Sequence, residues 1–150
     1  MNKSSNTLLA IGVSLIAGFA HAAEYEVQML NSGSEGFMVF EPAVLSVEVG
    51  DTVTFVATDM AHNSASIAGM IPEGAAAWTG ELSKDIAVTF EKPGVYVYQC
   101  TPHAMMAMVG VINVGQGAEN LAAVKAAAAG KKESFVTNQD RLDNYLGQLQ

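Results

Sequence analysis

Between Tyr25 and Val114 apolar residues recur at alternate positions in short runs, and this period is the strongest limit on what the chain can become. Tyr25, Val27 and Met29 alternate with Glu24, Glu26 and Gln28; Leu45, Val47 and Val49 with Val44, Ser46 and Glu48; Val53 and Phe55 with Thr52 and Thr54. A period of two puts one set of side chains on a core face and the other toward solvent, which is the pattern of a half-buried strand and not of a helix. Further strands are read over Ile86 to Glu91, Val95 to Gln99 and Met108 to Val114, with turn signals at Gly50-Asp51 and Lys92-Pro93-Gly94. Many short strands punctuated in this way predict an antiparallel β-sandwich. Residues 59–85 carry too little regular pattern for elements to be read there. The chain has 150 residues and a single Cys, so no intramolecular disulfide can staple the fold and the core alone must hold one domain together.

The two ends of the chain read differently from this middle. Residues 1–22 contain Lys3, a twelve-residue apolar run from Leu8 to Phe19 and then Ala20-His21-Ala22, the order of charge, apolar core and small-x-small site that marks a cleaved export signal. The run is too short to cross a bilayer. Cleavage after Ala22 leaves a mature chain of residues 23–150, expected to be exported and free of the membrane. After Gly115 the composition turns to Ala, Lys and Leu. A helix is predicted over 118–129, stopped by Gly130, and a second from about Asn138 to Leu149 with Leu142, Tyr145, Leu146 and Leu149 on one apolar face. The predicted division is therefore a leader over 1–22, a sandwich over 23–115, and a helical extension over 116–150 packed on it.

Charge narrows the class of partner. Seven Lys and Arg against 15 Asp and Glu leave a formal charge of −8, with no local basic patch, which excludes nucleic acid as a partner. Residues 23–115 hold eleven of the acidic residues against Lys84 and Lys92 alone, whereas 116–150 holds four of each sign. The field of the mature protein is thus the field of the sandwich.

The chemistry concentrates near the end of the strand pattern, in Tyr98-Gln99-Cys100-Thr101-Pro102-His103-Ala104-Met105-Met106-Ala107-Met108. A strand delivers Cys100, a turn carries His103, and the chain re-enters a strand at Met108. A thiolate, an imidazole and a thioether on one short loop are soft and borderline donors that suit copper. With His21 lost in the leader, His62 is the one remaining imidazole that completes a set of two His, one Cys and a weak Met, the trigonal blue-copper arrangement. Zinc accepts Cys and two His, but thioether is a poor ligand for it and the loop offers no carboxylate. Taken singly, Cys100 and Met108 are ordinary core residues. What changes the reading is that the only Cys of an exported, disulfide-free chain lies three residues before one of its two remaining His.

These residues resemble a known family. Cys100-Thr101-Pro102-His103, the Met five residues beyond His103, His62-Asn63, Met38-Val39-Phe40-Glu41-Pro42-Ala43 and Met70-Ile71-Pro72-Glu73-Gly74 are similar to the pseudoazurins, bacterial periplasmic cupredoxins, along the whole mature chain including the two C-terminal helices. The resemblance implies an all-β, eight-stranded Greek-key cupredoxin sandwich followed by two α-helices, with one type 1 copper per chain. It implies His62, Cys100 and His103 as equatorial ligands and Met108 as the axial one, with Met106, at the amicyanin spacing, as the alternative. By the same resemblance the Asn63 amide bonds the thiolate sulfur and its side chain ties the ligand loops, Met38 packs near the solvent-edge imidazole, and the exposed ring of His103 is the electron port. One departure is visible. The family rings its copper face with lysines, and the matching positions here are Ser32, Met60, Thr79 and Gln99.

The function that follows is a periplasmic, monomeric single-electron shuttle cycling Cu(II) and Cu(I), not an enzyme. Its partners are redox proteins met transiently, in the family often a denitrification nitrite reductase or a cytochrome c. Met38, Met60, Met105 and Met106 are expected to form a soft apolar patch around the port. The alternative is a carrier or reserve of copper ions, whose site would be exposed and Met-rich. An enzyme needs a second metal site, for which the mature chain has no histidine to spare.

Overall fold

A computed structural model of the chain describes residues 21–116 and 119–149. The predicted leader, apart from His21 and Ala22, lies outside the described residues. Eight strands run in the order β1 (Glu24–Gly33), β2 (Gly36–Glu41), β3 (Val44–Val47), β4 (Thr52–Val56), β5 (Ala65–Ser66), β6 (Ile86–Thr89), β7 (Gly94–Gln99) and β8 (Val109–Val114), followed by helices α1 (Leu121–Lys132) and α2 (Arg141–Leu146). They form two four-stranded sheets, β2-β1-β4-β6 and β3-β8-β7-β5.

The sheets are mixed, which corrects the expectation of an antiparallel sandwich. β1 pairs β4 in parallel, Tyr25 opposite Val53 and Val27 opposite Phe55, and β3 pairs β8 in parallel, Val44 opposite Val111. Alternation reports which face of a strand is buried; it carries no information about the direction of the neighbouring strand, which the long connections decide. β2 and β5 have no periodic signal in the sequence. β2 starts in a tight turn at Gly36 and its apolar residues Phe37 to Phe40 do not alternate, while β5 is two residues long.

Alternation also explains the layering. On β1, Val27 and Met29 point inward and Glu24, Glu26 and Gln28 outward. Between the sheets lie Val27, Met29, Phe40, Phe55, Trp78, Phe90, Tyr96, Tyr98 and Ile112. The aromatic rings meet mainly edge to face, Phe40 to Tyr98 at 4.7 Å and Phe55 to Tyr98 at 4.8 Å between centroids, an arrangement favoured by ring quadrupoles. Tyr98 lies across β8 where the chain has Gly110; a Cβ there would collide with the phenol ring. Strand β7 is buried on both faces from Gly94 to Tyr98, as its unbroken apolar run requires. Tyr96 and Tyr98 face the other sheet, and Val95 and Val97 face a second core built with Val109, Val111, Val124, Ala128, Phe135, Leu142, Tyr145 and Leu146. The two helices therefore roof the outer face of the second sheet.

The helix boundaries differ from expectation. α1 starts three residues later and runs through Gly130 to Lys132, because Gly130 keeps ordinary helical backbone and faces open space. α2 is only six residues long. Asn138 takes a left-handed backbone (φ 54°) and ends any helix reaching toward it from the C-terminal side. Lys132 at the end of α1 binds Asp140 (2.5 Å) and Asp143 (2.9 Å), tying the helices together at the surface.

Candidate metal centre

The thiol and both imidazoles meet at one end of the sandwich. Cys100 follows the last residue of β7 and is wholly buried; its N–H donates to Met108 O (2.9 Å), which carries the β7–β8 pairing up to the loop. The loop then turns on itself. His103 N–H donates to Cys100 O (3.2 Å), a single 3₁₀ turn covers Ala104–Met106, and Met108 N–H returns to His103 O (3.3 Å). The turn closes through Ala107 in a left-handed conformation (φ 55°, ψ 39°), which costs a non-glycine residue about 1–2 kcal/mol. Left-handed closure at Ala107 lets Met108 enter β8 with its side chain in the same inter-sheet core as Cys100.

His62 arrives from the other side, on the segment after β4. Ala61 before it is also left-handed (φ 66°), its N–H held by Ser83 Oγ (2.8 Å), while the His62 carbonyl accepts from Ser83 N–H (2.8 Å). The ring is fixed from β1. The β1–β2 ladder pairs Leu30 with Val39 and Ser32 with Phe37 but skips Asn31 and Met38, where Met38 has φ 51°. Asn31 is thereby released: its N–H donates to Asp59 (2.7 Å), and its side-chain oxygen lies 2.9 Å from His62 Nε2. An Nε2–H donated to Asn31 leaves Nδ1 as the bare nitrogen, the tautomer a metal ligand needs.

His62 Nδ1, His103 Nδ1 and Cys100 Sγ form a triangle with sides of 3.1, 3.3 and 3.6 Å. The centre of such a triangle is about 2 Å from each corner, the reach of an imidazole or thiolate donor to a transition-metal ion. His62 and Cys100 are fully buried and His103 is half-buried, so the triangle has a single edge at the surface. Burial pushes the Cys100 thiol up, against main-chain N–H groups of Asn63 and His103 that favour the thiolate. His62 is held below the usual imidazole range, first by burial and then by His103, with Asp59 acting in the opposite sense. Without metal, Cys100 and His62 thus favour their neutral forms, and a cation that replaces the thiol proton relieves the buried thiolate. The donor set fits copper.

Asn63, buried beside His62, spans the gap between the two arms. Its Nδ2 donates to Gly80 O (3.0 Å) and Thr101 Oγ1 (3.2 Å), and its Oδ1 accepts from Thr101 N–H (2.8 Å). Of the two candidate thioethers, Met108 is wholly buried in the core that holds Cys100, while Met106 is partly exposed on the 3₁₀ turn. Met60 is 73% exposed and Met105 62%. No sequence pattern singles out Asn31 and Ser83 as supports of the site. The one hint at Asn31 is an amide residue inside a strand, where Asn is disfavoured.

Comparison with known proteins agrees with this geometry. A profile of copper-binding proteins of the plastocyanin/azurin family matches residues 27–115. The chain is similar to a pseudoazurin of Paracoccus pantotrophus, 40% identical over an alignment of 148 positions that covers 96% of this chain and 97% of the relative. Among solved structures it is similar to native pseudoazurin from Hyphomicrobium denitrificans, with a TM-score of 0.76 and 38% identity over 85% of this chain and 98% of the other. A pseudoazurin from Methylobacterium extorquens AM1 superposes with a TM-score of 0.74 at 41% identity, over 85% and 99%.

Proposed function

This chain belongs to the plastocyanin/azurin family of copper-binding proteins and, within it, to the pseudoazurins, and from that premise we propose that His62, Cys100, His103 and Met108 hold its copper. The protein is a blue copper electron carrier and not an enzyme. The observation that carries the ligand assignment is the buried triangle of two Nδ1 atoms and Sγ with sides of 3.1–3.6 Å, backed by a buried Met108 at the end of the same loop. Bound there, copper supplies the one-electron Cu(II)/Cu(I) couple.

The chain's own residues do the rest. Asn31 fixes the His62 ring and Asn63 locks the two arms at one spacing, so the donors are held against rearrangement. Cys100 and His62 are closed to solvent, which leaves His103 as the edge at which a redox partner makes contact. A carrier or reserve of copper ions would need an open site, and the complete burial of Cys100, His62 and Met108 argues for holding the ion rather than passing it on.

The leader is cleaved after Ala22 and the mature monomer works in the periplasm. Ala23 N lies 2.7 Å from Oδ1 of the buried Asp51, whose other oxygen accepts from Glu48 N–H (2.8 Å). A new α-ammonium at Ala23 would therefore find a carboxylate in place. The partner presents a basic or apolar rim around its own redox centre, of the kind a nitrite reductase or cytochrome c can offer. Eleven acidic residues over 23–115 set the field, Ser32, Met60, Thr79 and Gln99 stand where the family has lysines, and Met60 and Met105 are exposed.

Copper titration of the mature protein tests the reading. One equivalent should produce the intense blue thiolate-to-copper band, and Met108→Leu should keep the metal but raise the reduction potential. If Met106→Leu does this and Met108→Leu does not, the axial assignment is wrong.

A further inference from the structure

Three successive carbonyls of the ligand loop, the three that precede Met108, are held by donors from outside the sandwich. Met105 O accepts from Val136 N–H (2.8 Å), Met106 O from the Asn138 side-chain amide (3.4 Å) and Ala107 O from Arg141 Nη1 (3.1 Å). All three donors fall within residues 136–141, the segment that leaves α1 and enters α2. No sequence motif marks it, and electron transfer at the copper site makes no direct use of it.

Arg141 is the unusual member. Its residue is 8% exposed, and among the described residues it makes no ion pair with a carboxylate. The guanidinium instead donates to four main-chain carbonyls: Met38 (2.9 Å) and Ala107 (3.1 Å) through Nη1, and Glu35 (3.2 Å) and Phe37 (3.2 Å) through Nη2. A buried cation is costly to retain unless its rigid fork of donors is fully used. Here it is used on particular acceptors. Two of the four belong to Met38 and Ala107, both in the left-handed region, and they lie on the β2 segment opposite Asn31 and on the loop residue next to Met108. An arginine that merely anchored α2 would be served by any carbonyls of the second sheet. Arg141 reaches past that sheet to the two strained residues that border the metal end, while Val136 and Asn138 serve the two preceding loop carbonyls.

We propose that the segment Val136–Arg141 is a template for the ligand loop, with Arg141 as a positioning residue that holds Ala107 left-handed and so sets where the Met108 side chain stands relative to Cys100, His62 and His103. The proposal rests on Met108 being the axial ligand. Loop geometry in this chain is then controlled from the C-terminal extension, a region that contributes no ligand.

The test uses the whole mature chain as Arg141→Gln, Arg141→Lys and Asn138→Gly. The last removes a donor at a position whose backbone already suits glycine. In metal-free protein, hydrogen exchange at the Met106, Ala107 and Met108 amides reads loop order without any metal. Exchange should quicken about tenfold or more in Arg141→Gln, since charge-assisted bonds are lost, and a few-fold in Asn138→Gly. In copper-loaded protein the intensity ratio of the second thiolate-to-copper band to the main one should change in Arg141→Gln and return part of the way in Arg141→Lys. A folded Arg141→Gln with wild-type exchange and wild-type band ratio, and only a lower melting temperature, would overturn the proposal by showing a fold anchor. If Arg141→Gln does not fold, Asn138→Gly decides by the same two readouts, and unchanged values there reject the template. Failure of the ligand reading shows separately, as a Met108→Leu spectrum identical to wild type, because the exchange measurement does not involve the metal.

Discussion

His62 and His103 bring equivalent nitrogens to within 3.1 Å of each other, yet the structure supports them in opposite ways. His62 stands alone on its segment, 38 residues before Cys100, and is secured from distant parts of the chain: by the Asn31 side chain on its Nε2, by the Ser83 N–H on its carbonyl and by Ser83 Oγ on the preceding Ala61 N–H. His103 comes from a compact loop in which Cys100, His103 and Met108 are bonded to one another through their own main chain. The first arm is rigid because it is buried and clamped. The second is half-exposed and keeps its shape through turn geometry and outside donors. A carrier needs both properties at once, since a fixed donor set favours fast transfer and an accessible edge lets a partner approach.

Breaking what the arms share should have the largest effect. Cys100→Ser removes the thiolate that both imidazoles face, and the blue colour should vanish entirely; a coloured variant would sink the site. Asn63→Ala removes the cross-tie to Thr101 N–H and leaves the buried Gly80 O without its donor, so unfolding free energy should drop by about 1–3 kcal/mol. Denaturant melts of the metal-free protein measure this, and an equal loss from Thr101→Ala would place the effect in the hydroxyl contact instead.

The clamped arm alone is probed by Asn31→Ala. Freeing the His62 ring should weaken copper affinity by about 10- to 100-fold, the usual cost of losing a residue that orients a ligand. Chelator competition checks it, and an unchanged affinity would mean that burial by itself fixes the ring. The exposed arm is probed by approach from solution. With −9 over residues 23–115 from eleven acidic and two basic side chains, transfer to a basic acceptor in stopped flow should slow as salt rises, by about tenfold or more between low and high ionic strength. Rates flat with salt would leave the exposed Met60 and Met105 as the docking surface.

The smallest effect concerns protons on the clamped arm. Because folding holds His62 below its ordinary value of 6.5, the unfolded chain takes up a proton in the window just beneath 6.5 that the folded, metal-free chain refuses. Stability of metal-free protein should therefore fall as pH drops through that window and be insensitive to this group above it. Thermal melts across the window, compared with His62→Gln, show whether the dependence belongs to His62.

Sequence alone reached the strands that alternate, the loop from Cys100 to Met108 and its donor chemistry, because each of these is local: alternation of burial needs only neighbours, and a turn between two strands brings residues 100, 103 and 108 together whatever the rest of the chain does. His62 could be assigned as the fourth donor only by inventory and family resemblance. The tertiary structure decided which strands run parallel, how far α1 continues through Gly130, and which residues support the site. Asn31 lies 31 positions from His62, and Arg141 lies 34 from Ala107 and 103 from Met38. Hydrogen bonds over such separations leave no periodic trace in a single sequence, since they depend on how two sheets and two helices stack and not on any neighbour along the chain.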